Sequence, residues 1–471
     1  MAREKDFNVE GVSFQKLAKE GLIGYTSNPY FCIPLYQRQY TWETAQVMRF
    51  LGDVYDYFIE ACEDGKKKGK RSIFAEKFIG AFILVEKETE NPHPNTVFEV
   101  VDGQQRITTL SLIIAAGVKV LLEIVHEIAK LSKEAESTDP ELHKKAEFLI
   151  GFIVPQIKET ITMLYDPEER TYAPKLFRER DDLPEKDEYC KLDETVWDNE
   201  EQVEKQIEKQ AGESEEEDEE KEILPKKCEI FRTSDDEVEA CYKSPTARFF
   251  FYLAKARAYL RDWDHVLREY EDALSAVCDG EKYLNSSGRN KCYKLNYELA
   301  QKFLKQLSGG MKYSCESSDL PFNKGLGEES QYEPKSMPDN VQHCVAPDSK
   351  LRPLMEAYRQ VFSSKEDWSD NSLEKLTAAA LYVLSYLDFL SQRVSIAVIS
   401  GKKETALDIF ETMNTAGQPL GCIETFIPEV YQTVGKLAKL MGGVNKTHLL
   451  NRKNTFGIHE DRSLEDVIQE I

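Results

Sequence analysis

At 471 residues, 41% of them hydrophobic, the chain is long enough for a substantial core and more than one structural unit. It carries 84 acidic against 61 basic residues, a net charge of −23, which argues against sequence-independent DNA binding through bulk charge. No run approaches the roughly 18 uninterrupted apolar residues of a membrane span. The start, Met-Ala-Arg-Glu-Lys-Asp, lacks a signal-peptide core, so a cytoplasmic protein without membrane partners is expected. The ten cysteines are scattered with no Cys-x-x-Cys pair and read as reduced thiols rather than zinc ligands.

In chain order, Phe31–Leu35 reads as a strand, and Thr41 as the cap of a helix with Val47, Phe50, Val54 and Phe58 on one face. A lysine-rich turn, Asp64–Arg71, leads to a second strand, Phe78–Val85, and Asn91–Asn95 connects it hairpin-fashion to Val97–Val101. That third strand breaks at Asp102-Gly103. Helical spacing then restarts at Ile107, Leu110, Ile114, Val118, Leu121, Val125 and Ile128. Residues 104–310 are mostly helical, with a polar interruption near 180–225 that includes the acidic run 200–222, read as solvated chain. Ser244-Pro245 opens a helix whose apolar stretch is Phe249–Leu260. A Gly-, Ser-, Pro- and Asp-rich loop covers 308–350, helical spacing returns over Leu373–Leu390, and Arg393–Ile399 reads as a strand. A last helix, Glu404–Met413, is stopped by Asn414–Pro419. The fold class is α+β: a small mixed sheet with a large, mostly helical elaboration. The expected organisation is an α/β core over 1–125, a helical region over 126–390, and a strand–helix return over 391–471 that completes the core.

Three segments carry candidate chemistry. Strand, tight turn and helix start at Asp102-Gly-Gln-Gln-Arg106 form a common anion site built from free backbone N–H groups. Arg106 falls in the first helical turn, where the dipole disfavours a cation unless an anion is near. Two other readings stand beside it: Asp102 and Gln105 as a capping box, and Arg106 paired with a carboxylate. Ile33–Trp42, if extended, puts Tyr36, Arg38, Tyr40 and Trp42 on one face, suited to stacking on a base or to ordinary packing. Asp408–Leu420 by itself says only that a helix ends in a tight turn. There is no Gly-x-x-x-x-Gly-Lys-Ser/Thr loop and no His-Glu-x-x-His. His448 and His459, near Asn451 and Asn454, match no histidine–asparagine nuclease spacing.

Taken together, these segments resemble the S-half domain of GmrSD-type modification-dependent (type IV) restriction systems, also present in phosphorothioate-sensing phage-defence proteins. The shared pattern is Ile-Pro-x-Tyr-Gln-Arg-x-Tyr-x-Trp at Ile33–Trp42, Asp-Gly-Gln-Gln-Arg at Asp102–Arg106, and Phe-Glu-x-x-Asn-x-x-Gly-x-Pro-Leu at Phe410–Leu420, with Phe78-Ile-Gly80 before the second motif. The resemblance implies a ParB/sulfiredoxin-like core that binds and hydrolyses a nucleotide with Mg2+, its base undetermined, and that senses modified DNA. Carried over, Asp102, Gln105 and Arg106 are the catalytic residues and Asp102 the metal ligand. Gly103, Gln104, Gln105, Arg106, Asn414 and Gly417 bind the nucleotide. Tyr36, Gln37, Arg38, Tyr40 and Trp42 line the nucleotide site or the pocket for the DNA modification. A nuclease supplied by a further domain or another chain is the implied partner, and self-association is left open. The alternatives are a non-enzymatic interaction module of a defence complex and, less favoured, a chain that itself cuts DNA.

Overall fold

The computed structural model describes residues 7–34, 37, 40–68, 77–87, 95–165, 174–178, 245–278, 291–307, 344–346, 349–362 and 372–401. Among them run, in chain order, β1 (Phe7–Ser13), α1 (Phe14–Lys19), β2 (Tyr30–Ile33), α2 (Thr44–Lys68), β3 (Lys77–Glu86), β4 (Val97–Asp102), α3 (Gln104–Ala135) and α4 (Pro140–Ile161). There follow β5 (Leu176–Arg178), α5 (Pro245–Tyr259), α6 (Trp263–Cys278), α7 (Lys291–Leu307), α8 (Arg352–Phe362), α9 (Ser372–Gln392) and β6 (Val394–Gly401). The acidic run 200–222, most of the 308–350 loop and the Glu404–Met413 helix lie outside the described residues.

One mixed sheet holds all six strands in the order β1-β6-β3-β4-β2-β5. The pairs β1–β6 and β3–β4 are antiparallel; β6–β3, β4–β2 and β2–β5 are parallel. The α+β class and the small mixed sheet are therefore as expected. Val97 to Val101 are buried on both faces, as a central strand requires. β6 alternates buried Val394, Ile396 and Val398 with half-buried Ser395, Ala397 and Ile399. It brings the chain back into the sheet between β1 and β3, the return expected from Arg393–Ile399.

Helix α3 is the axis of the molecule, packing against α4, α6, α7 and α9. By length and composition it could cross a membrane, yet 89% of its most apolar window is buried inside the protein. A search for uninterrupted apolar residues passes over it because Thr108, Thr109, Ser111, Lys119 and Glu123 break the run. Its charges are answered by the surrounding helices: Lys119 lies 2.9 Å from Glu271 and Glu123 lies 2.7 Å from Lys305. Tyr270, fully buried on α6, donates to the Ala115 carbonyl at 2.7 Å. The expected boundary at 125 falls inside α3, so this one helix belongs to both the core and the helical region.

Several local expectations change. β2 stops at Ile33 because Pro34 has no N–H to continue the ladder. Thr41 does not cap α2. The helix begins at Thr44, and Gln46 Oε1 accepts the Glu43 N–H at 2.6 Å. Asp64 to Lys68, expected in a turn, form the last turn of α2. β1, α1 and the three-residue β5 were not anticipated; β5 is too short to leave a periodic signal.

Candidate functional site

Gly103 is the single residue between β4 and α3. Its backbone is left-handed, φ 92° and ψ 4°. A Cβ there would lie 2.3 Å from Cδ1 of Phe82, a ring with no solvent exposure. Conformation and space both require glycine. Gly103 is also the N-cap of α3 and, being glycine, contributes no side chain to cap it. The capping box open to Asp102 and Gln105 is thus not formed. The left-handed glycine takes the N-cap position, Asp102 turns to Arg106, and Gln105 reaches across to another segment. A glycine N-cap brings no side chain of its own over the first-turn N–H groups, as at helix starts that receive anions.

Arg106 sits in a notch made by β3. The register of β3 against β6 slips between Phe78 and Ala81, and within that slip Gly80 has φ 119°. A Cβ on Gly80 would fall 1.9 Å from Nη1 of Arg106. The guanidinium therefore rests on bare backbone. Nη1 is 3.5 Å from the Ile79 carbonyl, Nη2 is 3.5 Å from Asp102 Oδ2, and Cζ is 5.9 Å from the Phe82 ring centre. Both polar contacts are at the long limit for a hydrogen bond. The side chains of Arg106 and Asp102 are 25% and 33% exposed, so both can meet a ligand from solvent. Arg106 does have the carboxylate that the bland reading supplies, but it is held loosely. Gly80→Ala meets only the far end of a flexible side chain, so Arg106 should give way rather than β3. We expect a stability loss of about 1–2 kcal/mol from left-handed strain. Denaturant unfolding of the two proteins measures that loss.

Of the expected aromatic face, the described residues Tyr40 and Trp42 pack inward against Tyr293 and Phe50. Two glutamines strap the Ile33–Trp42 segment to the turn. Gln37 Nε2 donates to the Val101 carbonyl at 2.6 Å, and Arg178 Nη2 holds the Gln37 carbonyl from β5. In the other direction, Gln105 Oε1 accepts the N–H groups of Thr41 at 2.9 Å and Trp42 at 3.1 Å. Gln105, expected to be catalytic, thus has its carbonyl oxygen engaged on backbone and is only 7% exposed. Gln104 is buried as well. Tyr40, expected in a pocket for DNA, belongs to the core. Its ring stacks on Tyr293 with centroids 4.8 Å apart, and its hydroxyl is 2.8 Å from Thr109 Oγ1. Trp42 is half-buried against Phe50. Tyr36, Arg38, Asn414 and Gly417 lie outside the described residues.

The structure adds residues that spacing did not single out. Asn296 on α7 donates through Nδ2 to Tyr40 Oη at 3.1 Å and to the Trp42 carbonyl at 2.7 Å. Thr109 donates back to the Gln105 carbonyl at 2.8 Å. Asn296 is 1% exposed, at a depth where helices normally carry apolar residues, and only the structure reveals that burial. Among the described residues no three His, Cys, Asp or Glu side chains gather into a metal-holding group. Asp102 fits a divalent ion only jointly with phosphate oxygens, which is how Mg2+ is commonly held.

Fold and site define an α+β protein whose central strand–glycine–helix turn stands beside a partly exposed arginine and is braced by a helical region. The chain belongs to the family of the GmrSD restriction endonuclease N-terminal domain, whose profile matches residues 15–300, more than half of its length. That membership gives it a role in restriction and defence directed at modified DNA. The match includes the first two motifs and reaches into α7; the Phe410–Leu420 segment lies beyond it. No curated protein matches the chain.

Proposed function

We propose that the Asp102–Arg106 turn binds a nucleoside triphosphate with Mg2+ and hydrolyses it, as the sensing part of a restriction system that acts on modified DNA. The observation that carries this reading is the glycine-opened N-terminus of α3 with Arg106 loosely held beside it. Backbone N–H groups of the first turn take the phosphate oxygens, and Arg106 leaves its long contacts to pair with the charge that the dipole already favours there. Mg2+, bound with the nucleotide, neutralises phosphoryl charge. Asp102, at the end of β4, holds that ion or orients a water. Gln105 acts by fixing Thr41 and Trp42 rather than by touching the nucleotide. Asn414 and Gly417 close the site on the strength of the resemblance alone. DNA cleavage resides in a further domain or another chain. Phosphate release by the purified protein, undiminished in Arg106→Ala, would show the site to be misplaced.

A second reading has its own observation: Arg106 already has Asp102 as a partner, and Gln105 is committed to scaffold contacts. On that reading the turn is structural and the chain is a non-enzymatic module of a defence complex. Its signature is a melting temperature indifferent to millimolar nucleotide.

A further inference from the structure

The hydrogen bonds around Tyr40 have only one possible direction. Thr109 has one hydroxyl proton, and it goes to the Gln105 carbonyl. Tyr40 must therefore donate to Thr109 Oγ1, at 2.8 Å, and it accepts in turn from Asn296 Nδ2 at 3.1 Å. Asn296, Tyr40, Thr109 and the Gln105 carbonyl form a single donor chain from α7 to the first turn of α3. The circuit closes on its other side. Gln105 Oε1 accepts from Thr41 and Trp42, and the Trp42 carbonyl accepts from the same Asn296 amide. Every link among these residues is buried or half-buried, where such chains polarise one another and a broken link is costly. Asn296 Oδ1 has no hydrogen-bond partner among the described residues. A buried amide left half-satisfied is a poor choice for stability alone, and calls for another reason.

We infer that Asn296 is a positioning residue that locks α7 to the phosphate turn, so that the helical region and the occupancy of the turn regulate each other. The inference rests on the nucleotide reading for what the turn binds, but the coupling itself does not require it. A ligand that tightens the first turn of α3 tightens the ring and holds α7. A partner that moves α7 pulls the Thr41–Trp42 peptide off Gln105 and loosens the turn.

The test is hydrogen exchange, read by mass spectrometry at residues 104–110 and 292–300, on wild type and on two substitutions of the buried Thr109. Thr109→Val keeps the side-chain shape and removes the hydroxyl; Thr109→Ser keeps the hydroxyl and removes a methyl group. If the ring matters, Val speeds exchange in α7 by roughly tenfold, because the bond from Tyr40 is lost along with the one to the Gln105 carbonyl, while Ser stays near wild type and α8 and α9 are unmoved. If Thr109 serves only packing, Ser is the more disruptive, and the inference is overturned. It is equally overturned if neither substitution changes α7. Tyr40→Phe, which removes one hydroxyl, should reproduce Thr109→Val. With millimolar Mg-ATP, wild type should gain protection in both segments and Thr109→Val in 104–110 alone. Should Mg-ATP protect neither segment of the wild type, the nucleotide reading fails, and the ligand-free comparison still decides the coupling.

Discussion

Replacing Arg106 by alanine is expected to abolish nucleotide-induced stabilisation while leaving the ligand-free protein close to wild type. The two effects separate because of where the arginine sits. Without ligand, Arg106 is a cation in the first turn of α3, where the helix dipole opposes it, and its polar contacts to Asp102 and Ile79 are both 3.5 Å long. Removing it costs less than about 1 kcal/mol, within the range of partly exposed ion pairs. With ligand, the same side chain makes charge-assisted bonds to phosphate, worth about 1.5–3 kcal/mol each, or roughly 10- to 100-fold in Kd. A ligand at about 100 times its Kd stabilises by ~2.7 kcal/mol and raises Tm by several degrees. The measurement is a thermal-shift series with ATP, GTP, CTP and UTP, each with Mg2+. All four are needed because base selectivity arises outside the phosphate turn. A wild-type shift that survives Arg106→Ala would remove Arg106 from the site. A wild type that shifts with none of the four would favour the interaction module.

Gly103→Val should unfold the junction of sheet and helix. The left-handed backbone at Gly103 costs a non-glycine residue about 1–2 kcal/mol, and more when it is β-branched. The added Cβ would meet Phe82 at 2.3 Å, and that ring, buried in the core, has nowhere to go. Overpacking of this kind adds about 1–3 kcal/mol. The sum is on the order of 2–5 kcal/mol, seen as a fall in Tm of roughly 2–5 °C for a chain of this length. Gly11→Ala in β1 is the control, because a Cβ there has nothing within 4 Å. It should stay within about 0.5 kcal/mol of wild type. Equal losses in the two variants would mean that the Gly103 geometry has no special role.

Local pattern made a good part of this legible. The apolar run Val97–Val101 followed by period-3.6 spacing from Ile107 corresponds to β4 and α3, and Arg393–Ile399 corresponds to β6. Each signal depends on neighbours a few residues apart, which is the range over which periodicity carries information. β5 failed the same test because three residues cannot show a period. Thr41 as a cap failed because its N–H is held by Gln105 Oε1 from another element and the helix begins only at Thr44. The capping-box reading assumed that Gln105 satisfies its local backbone, and the aromatic-face reading assumed that the aromatics answer only to the period of an extended chain. Gln105 instead reaches residues 63 and 64 positions away, and Tyr40 meets an asparagine 256 positions away.

By itself, then, the amino-acid sequence determined that a strand, a glycine turn and a long buried helix follow one another at Asp102–Arg106, that the rest is largely helical, and that three motifs place the chain beside a restriction family. Only the tertiary structure decided what those motif residues face. It gave Arg106 a notch at Gly80, tied Gln37 to Val101 and Gln105 to Thr41 and Trp42, and put Tyr40 in a circuit with Asn296. The reason is physical. Backbone conformation follows from sterics and spacing within a few residues, whereas the partner of a buried amide or hydroxyl is whichever element the packed core brings within about 3 Å.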